Sequence, residues 1–107
     1  MKSRIVLTPL AQADIEQAQA WYEAKRKGLG DRFVERADDA IQKIAQNPTL
    51  FAPVVEDVRR VLVEDFPYGV YYRVETDGSV VIACLHGKRS PDRAHSRALG
   101  RRTGPRR

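Results

Sequence analysis

The apolar residues of this chain recur at helical spacing through its first half and at strand spacing through its second, and the change comes just after Asn47-Pro48. A single switch of period points to helices that bury one stripe each against a sheet built by the later segments. With 107 residues the chain can support one such core, and no composition shift suggests a boundary before Gly100. Residues 1–99 are therefore expected to form a single domain, and residues 100–107 a basic tail without fixed structure.

Arg4 to Leu7 reads as a short strand. Thr8 can accept from an orphan N–H of the following turn, and Pro9 suits the first helical position because no donor is lost there. Ala11, Ile15, Ala18 and Tyr22 then mark one buried face, with Trp21 beside them, and both aromatic residues read as packing rather than as a stacking platform. Asp14, Glu16 and Glu23 read as a solvated face. Gly28-Leu29-Gly30 breaks the pattern, Asp31 can cap a second helix with a stripe at Phe33 or Val34, Ala37, Ile41 and Ile44, and Asn47-Pro48 ends it. So short a connection predicts an antiparallel helical hairpin.

Thr49 to Asp57 reads as a loop, Val58 to Glu64 as a strand, Phe66-Pro67-Tyr68-Gly69 as a turn, and Val70 to Glu75 as the next strand. Asp77-Gly78 is a tight-turn dipeptide leading into Val80 to Leu85. Ser90-Pro91-Asp92 repeats the cap-then-proline signal, so a short helix is expected to about Leu99. Strand alternation places Tyr72 with Val70 and Val74 on the buried side and sends Tyr71 and Arg73 to the other, where they become contact candidates. Arg59 and Arg60 likewise face opposite sides.

Of the formal charge of +5, residues 86–107 carry +7, from eight Lys or Arg and one Asp. That basic end attracts phosphates or an acidic partner, or simply solvates the chain. The single Cys84 cannot form an internal disulfide, which fits a reducing cytoplasm, and two histidines with one cysteine make a metal site unexpected. No apolar run approaches the roughly 20 residues needed to span a bilayer, so no membrane association is expected. No cofactor is expected either.

Three stretches together resemble the RelE/ParE superfamily of type II toxins. These are Val6-Leu7-Thr8-Pro9 with Ala13, Asp14 and Trp21-Tyr22; Arg60 with Phe66-Pro67-Tyr68 and Tyr71-Tyr72-Arg73-Val74; and Leu85-His86-Gly87-Lys88-Arg89-Ser90-Pro91. The resemblance implies an α+β fold of order strand, helix, helix, strand, strand, strand, in which the hairpin packs on a twisted antiparallel sheet of about four strands with a short C-terminal helix. It also implies an antitoxin partner, growth arrest when that partner is lost, and a toxin–antitoxin hetero-oligomer.

The superfamily divides by target. RelE-like members cut mRNA on the ribosome, whereas ParE-like members inhibit DNA gyrase. Metal-free RNA cleavage needs a base for the 2′-hydroxyl, cations for the crowded phosphate and an acid for the leaving oxygen. Arg89 matches one arginine of the nuclease pattern, but Gly69 stands where a second is usual and His95 where a tyrosine is usual. The Phe66-Pro67-Tyr68 turn and the His86–Pro91 ending look more like ParE and its plasmid-stabilisation relatives. The resemblance thus implies a gyrase-binding toxin that contacts its target through Arg60, Tyr71, Arg73, His86, Lys88, Arg89 and Arg93. A nuclease using Arg60, Arg89 and His95 is the first alternative. His86 ends a strand, and satisfying a backbone carbonyl there is favoured over a catalytic role. A non-toxic basic module gripping nucleic acid through phosphates alone is the second alternative.

Overall fold

Thr8 accepts from the Ala11 N–H at 3.1 Å, which closes the first turn of helix α1 (Pro9–Lys25) as its sequence predicts. Helix α2 (Leu29–Gln46) begins earlier than the Asp31 cap would place it, because the capping comes from the neighbouring helix. The Glu23 carboxylate accepts from the Gly28 and Gly30 N–H groups at 2.9 Å each, meeting donors that the start of α2 leaves open. Gly30 is also a packing residue, since a Cβ there would stand 2.5 Å from the Gln19 carbonyl oxygen. The sequence reads it as a breaker, whereas it also lets α2 pack closely against the α1 backbone.

The computed structural model describes residues 3–87 together with Arg93, Ala94, Ser96 and Arg97. Its strands are β1 (Ile5–Leu7), β2 (Pro53–Val55), β3 (Val58–Leu62), β4 (Tyr68–Glu75) and β5 (Gly78–His86), in the sheet order β1-β5-β4-β3-β2. The architecture is α+β, with the hairpin on one face of the sheet. Two details depart from the expected sheet. β1 joins β5 in parallel, so the sheet is mixed, and Pro53–Val55 forms a short edge strand inside the expected loop. Pro53 lacks a donor and is tolerated at that edge. Arg93, Ala94, Ser96 and Arg97 are helical; the remaining residues of the expected terminal helix, and residues 100–107, lie outside the described ones.

Both sheet faces are covered. Beneath the hairpin, Ile15, Phe33, Ile44, Val70, Tyr72 and Val81 belong to the larger core. Here Tyr22, Phe33, Phe66 and Tyr68 form an aromatic cluster with ring centroids 4.8–6.0 Å apart. The Phe66-Pro67-Tyr68 turn is thereby pinned against the closed end of the hairpin, beside the α1–α2 connection. On the opposite face a second cluster joins Val58, Tyr71, Val80, Ile82, Ala83 and Leu85 to Ala94 of the C-terminal segment. This corrects the expectation for Tyr71, which is 0% exposed. Alternation does set it opposite Tyr72, but the face it reaches is a core and not solvent.

The β4–β5 ladder carries one irregularity that matters for the surface. Tyr71 pairs with Ala83 and Tyr72 with Val81, leaving Ile82 as an extra residue in β5. Below this bulge the outer edge of β5 is met by the chain around β1, through Ser79 N–H to Arg4 O and Thr8 N–H to Val81 O. Above it, the outward-facing backbone groups become Ile82 C=O and Cys84 N–H, which side chains satisfy instead.

Candidate target-binding surfaces

The sheet divides the expected contact residues between its faces. Arg60 pairs with Tyr71 across β3 and β4, and Arg73 lies further along β4, so all three belong to the face away from the hairpin. The Arg60 stem lies across Gly69, where a Cβ would stand 2.9 Å from Arg60 Cδ. An arginine at position 69, as in the nuclease pattern, would have to displace Arg60 from this place. Among the described residues Arg60 has no ion-pair partner. Arg73 does: its Nη1 lies 2.9 Å from Glu75 and its Nε 3.3 Å from Asp57, and the side chain is only 14% exposed. Arg59, on the hairpin face, clips the loop before β2 by donating to the carbonyls of Thr49 and Phe51.

His86 stands on the other side of the sheet, its ring edge-on to Tyr68 with centroids 5.4 Å apart. Together they help line a groove of about 620 Å³ between α1 and the ends of β4 and β5, whose wall also includes Gln17, Trp21 and Arg93. Arg93 is exposed and reaches a second groove of about 610 Å³ as well, beside Thr8, Leu10 and Ile82. The structure thus sets Arg93 between two grooves, Arg60 and Arg73 on one face, and His86 on the other. Lys88, Arg89 and His95 lie outside the described residues.

Two residues of this region escape the helical reading of the sequence. Trp21 is 56% exposed, set edge-on to Tyr22 with Lys25 Nζ 4.6 Å from its ring centre, and is not the packing residue expected. Asp14 belongs to no solvated face: its Oδ2 accepts from Cys84 N–H at 2.9 Å and lies 3.1 Å from Arg97 Nη1. A signal was available, because Asp14 is three residues past Ala11 and four before Ala18, inside the buried stripe. Glu23 is exposed, as expected, and its carboxylate is also the cap of α2 described above.

Burial, and then the Asp14 charge, push the Cys84 thiol up to about 12, so it stays protonated and unreactive at neutral pH. Burial also raises the Tyr22 phenol, with Tyr68 adding to it. No group of three His, Cys, Asp or Glu among the described residues could hold a metal, and no described helix is long and apolar enough to cross a membrane.

Comparison with known proteins adds the family. The family model of the ParE toxin of the type II toxin–antitoxin system, parDE, matches residues 5–91. A solved structure, the chromosomal ParDE TA system from P. aeruginosa, is similar in fold with a TM-score of 0.71, over 79% of this chain and 96% of that one, at 17% identity. No curated protein sequence matches.

Proposed function

The chain belongs to the ParE toxin family of type II toxin–antitoxin systems, and from that premise we propose that it inhibits DNA gyrase by binding it and is held silent by an antitoxin. The observation that carries the binding reading is at Gly69, where the nuclease pattern has its second arginine: a Cβ there would stand 2.9 Å from Arg60 Cδ, so a side chain at that position would have to displace Arg60. Metal-free cleavage needs its phosphate-stabilising cations gathered at one scissile phosphate. Binding has no such requirement, and separated cations can each contact part of a large partner.

The antitoxin has apolar surface to cover. Val6 on the edge strand, Leu10 at the start of α1 and Trp21 near its end are 48%, 57% and 56% exposed. Their positions suit a partner that lays a helix along the hairpin and an extended segment along the sheet edge. Coexpressed with the product of its neighbouring gene, the chain should copurify as one complex.

The decisive assay uses the purified full chain with gyrase and relaxed plasmid and, in parallel, with ribosomes and a defined mRNA. Supercoiling should stop, or gyrase should be trapped on cleaved DNA, while the mRNA stays intact. Site-specific mRNA cleavage with gyrase untouched would assign the chain to the nuclease branch.

A further inference from the structure

The β5 bulge leaves two buried backbone groups, Ile82 C=O and Cys84 N–H, facing outward beyond the end of β1. Buried peptide groups without partners are costly, and here two side chains from distant parts of the sequence meet them. Asp14 of α1 accepts from Cys84 N–H at 2.9 Å; Arg97 of the C-terminal segment donates to Ile82 C=O at 2.7 Å. The same two side chains then bond each other, with Arg97 Nη1 3.1 Å from Asp14 Oδ2. They are 15% and 18% exposed, so water screens this pair far less than an ordinary surface ion pair.

Ala94 precedes Arg97 by three residues, one helical turn, and is fully buried among Tyr71, Ile82 and Leu85. The segment is thus held twice, by an apolar anchor on the second face and by the ion pair at the edge of β5. Arg93 is adjacent to the anchor, exposed, and common to both grooves. We infer that Asp14 and Arg97 are positioning residues: they clasp the C-terminal segment to the edge that the bulge re-aims, and so fix Arg93 for contact with the target. The clasp itself follows from the bonds above, while its use in target contact rests on the proposed gyrase reading.

Asp14→Asn is the informative variant, because it keeps an oxygen for Cys84 N–H and removes the charge that holds the guanidinium. Arg97→Met removes the cation and the donor to Ile82 at similar length, and Arg97→Lys keeps a charged donor. Hydrogen exchange on the full-length chain should show peptides covering residues 93–97 exchanging about tenfold faster in Asp14→Asn and Arg97→Met, with β4 and β5 still protected. Gyrase inhibition should need about tenfold more of either variant, and Arg97→Lys should recover most of both effects.

Unchanged exchange over 93–97 in both variants would overturn the clasp. Loss of protection throughout the sheet would reduce the pair to ordinary core support and overturn it too. Faster exchange with undiminished inhibition would overturn the positioning role. Should the wild type itself leave gyrase unaffected, the target reading fails, and the exchange comparison alone decides the clasp.

Discussion

Tyr71 and Tyr72 are neighbours in one strand, both fully buried, and their surroundings differ in a way that separates the two faces of the sheet. On the hairpin face the Tyr72 hydroxyl donates to the Pro48 carbonyl, among large side chains supplied by two long helices. On the second face the Tyr71 hydroxyl is buried with no hydrogen-bond partner among the described residues, surrounded by smaller side chains and Ala94. One face is built to hold the fold together. The other carries Arg60 and Arg73 and is joined by the segment bearing Arg93.

The largest effect that should sharpen this contrast comes from the aromatic cluster under the hairpin. Phe33→Ala removes a ring in contact with Tyr22, Phe66 and Tyr68, and should cost about 3–5 kcal/mol, enough to leave the isolated chain largely unfolded by thermal melting. A loss well under this would mean that the hairpin face is not the main source of stability. The paired tyrosines give a smaller test. Tyr72→Phe should cost about 1 kcal/mol through the lost bond to Pro48, whereas Tyr71→Phe should be neutral or stabilising. Equal losses at both positions in urea titrations would erase the distinction between the faces.

The smallest effect lies at alkaline pH. The Cys84 thiol is raised from its ordinary 9.0 to about 12 in the folded chain, chiefly by burial. Between those values the unfolded chain has lost a proton that the folded chain keeps, so stability falls as pH rises through that window. Cys84→Ala should flatten this alkaline slope. An identical pH dependence in the variant would assign it to other groups, of which the buried Tyr72 phenol, also raised, is the nearest candidate.

Much of the hairpin face is legible in the sequence because its signals are local. Thr8-Pro9 announces α1, and Phe33, Ala37, Ile41 and Ile44 define the buried stripe of α2 at a constant period. What escapes the sequence depends on pairings between distant segments. Nothing near Ile5 says that β1 will run parallel to β5, and a three-residue strand at Pro53 is too short to show a period. Alternation places Tyr71 correctly opposite Tyr72, yet period alone does not tell that Ala94 and its neighbours cover that face. Asp14 reads as solvated only when charge is given more weight than position, since its backbone partner at Cys84 lies 70 residues away. Of the candidate contacts, Arg60 and Arg73 fall on one face as alternation requires. The placement of His86 across the sheet from them follows from the bulge at Ile82, which shifts the alternation of β5 by one residue.

The central proposal is that this chain acts by binding gyrase, with Arg60 on the second face of the sheet among its contacts. It is tested most directly by a supercoiling titration of wild type beside Arg60→Glu, with thermal midpoints measured on both. Arg60 makes no ion pair among the described residues, so reversing its charge should change stability by no more than about 0.5 kcal/mol. The account predicts that wild type inhibits supercoiling and that the variant, equally folded, requires about tenfold more protein or fails to inhibit. Equal inhibition by both proteins, or none by either, would contradict it.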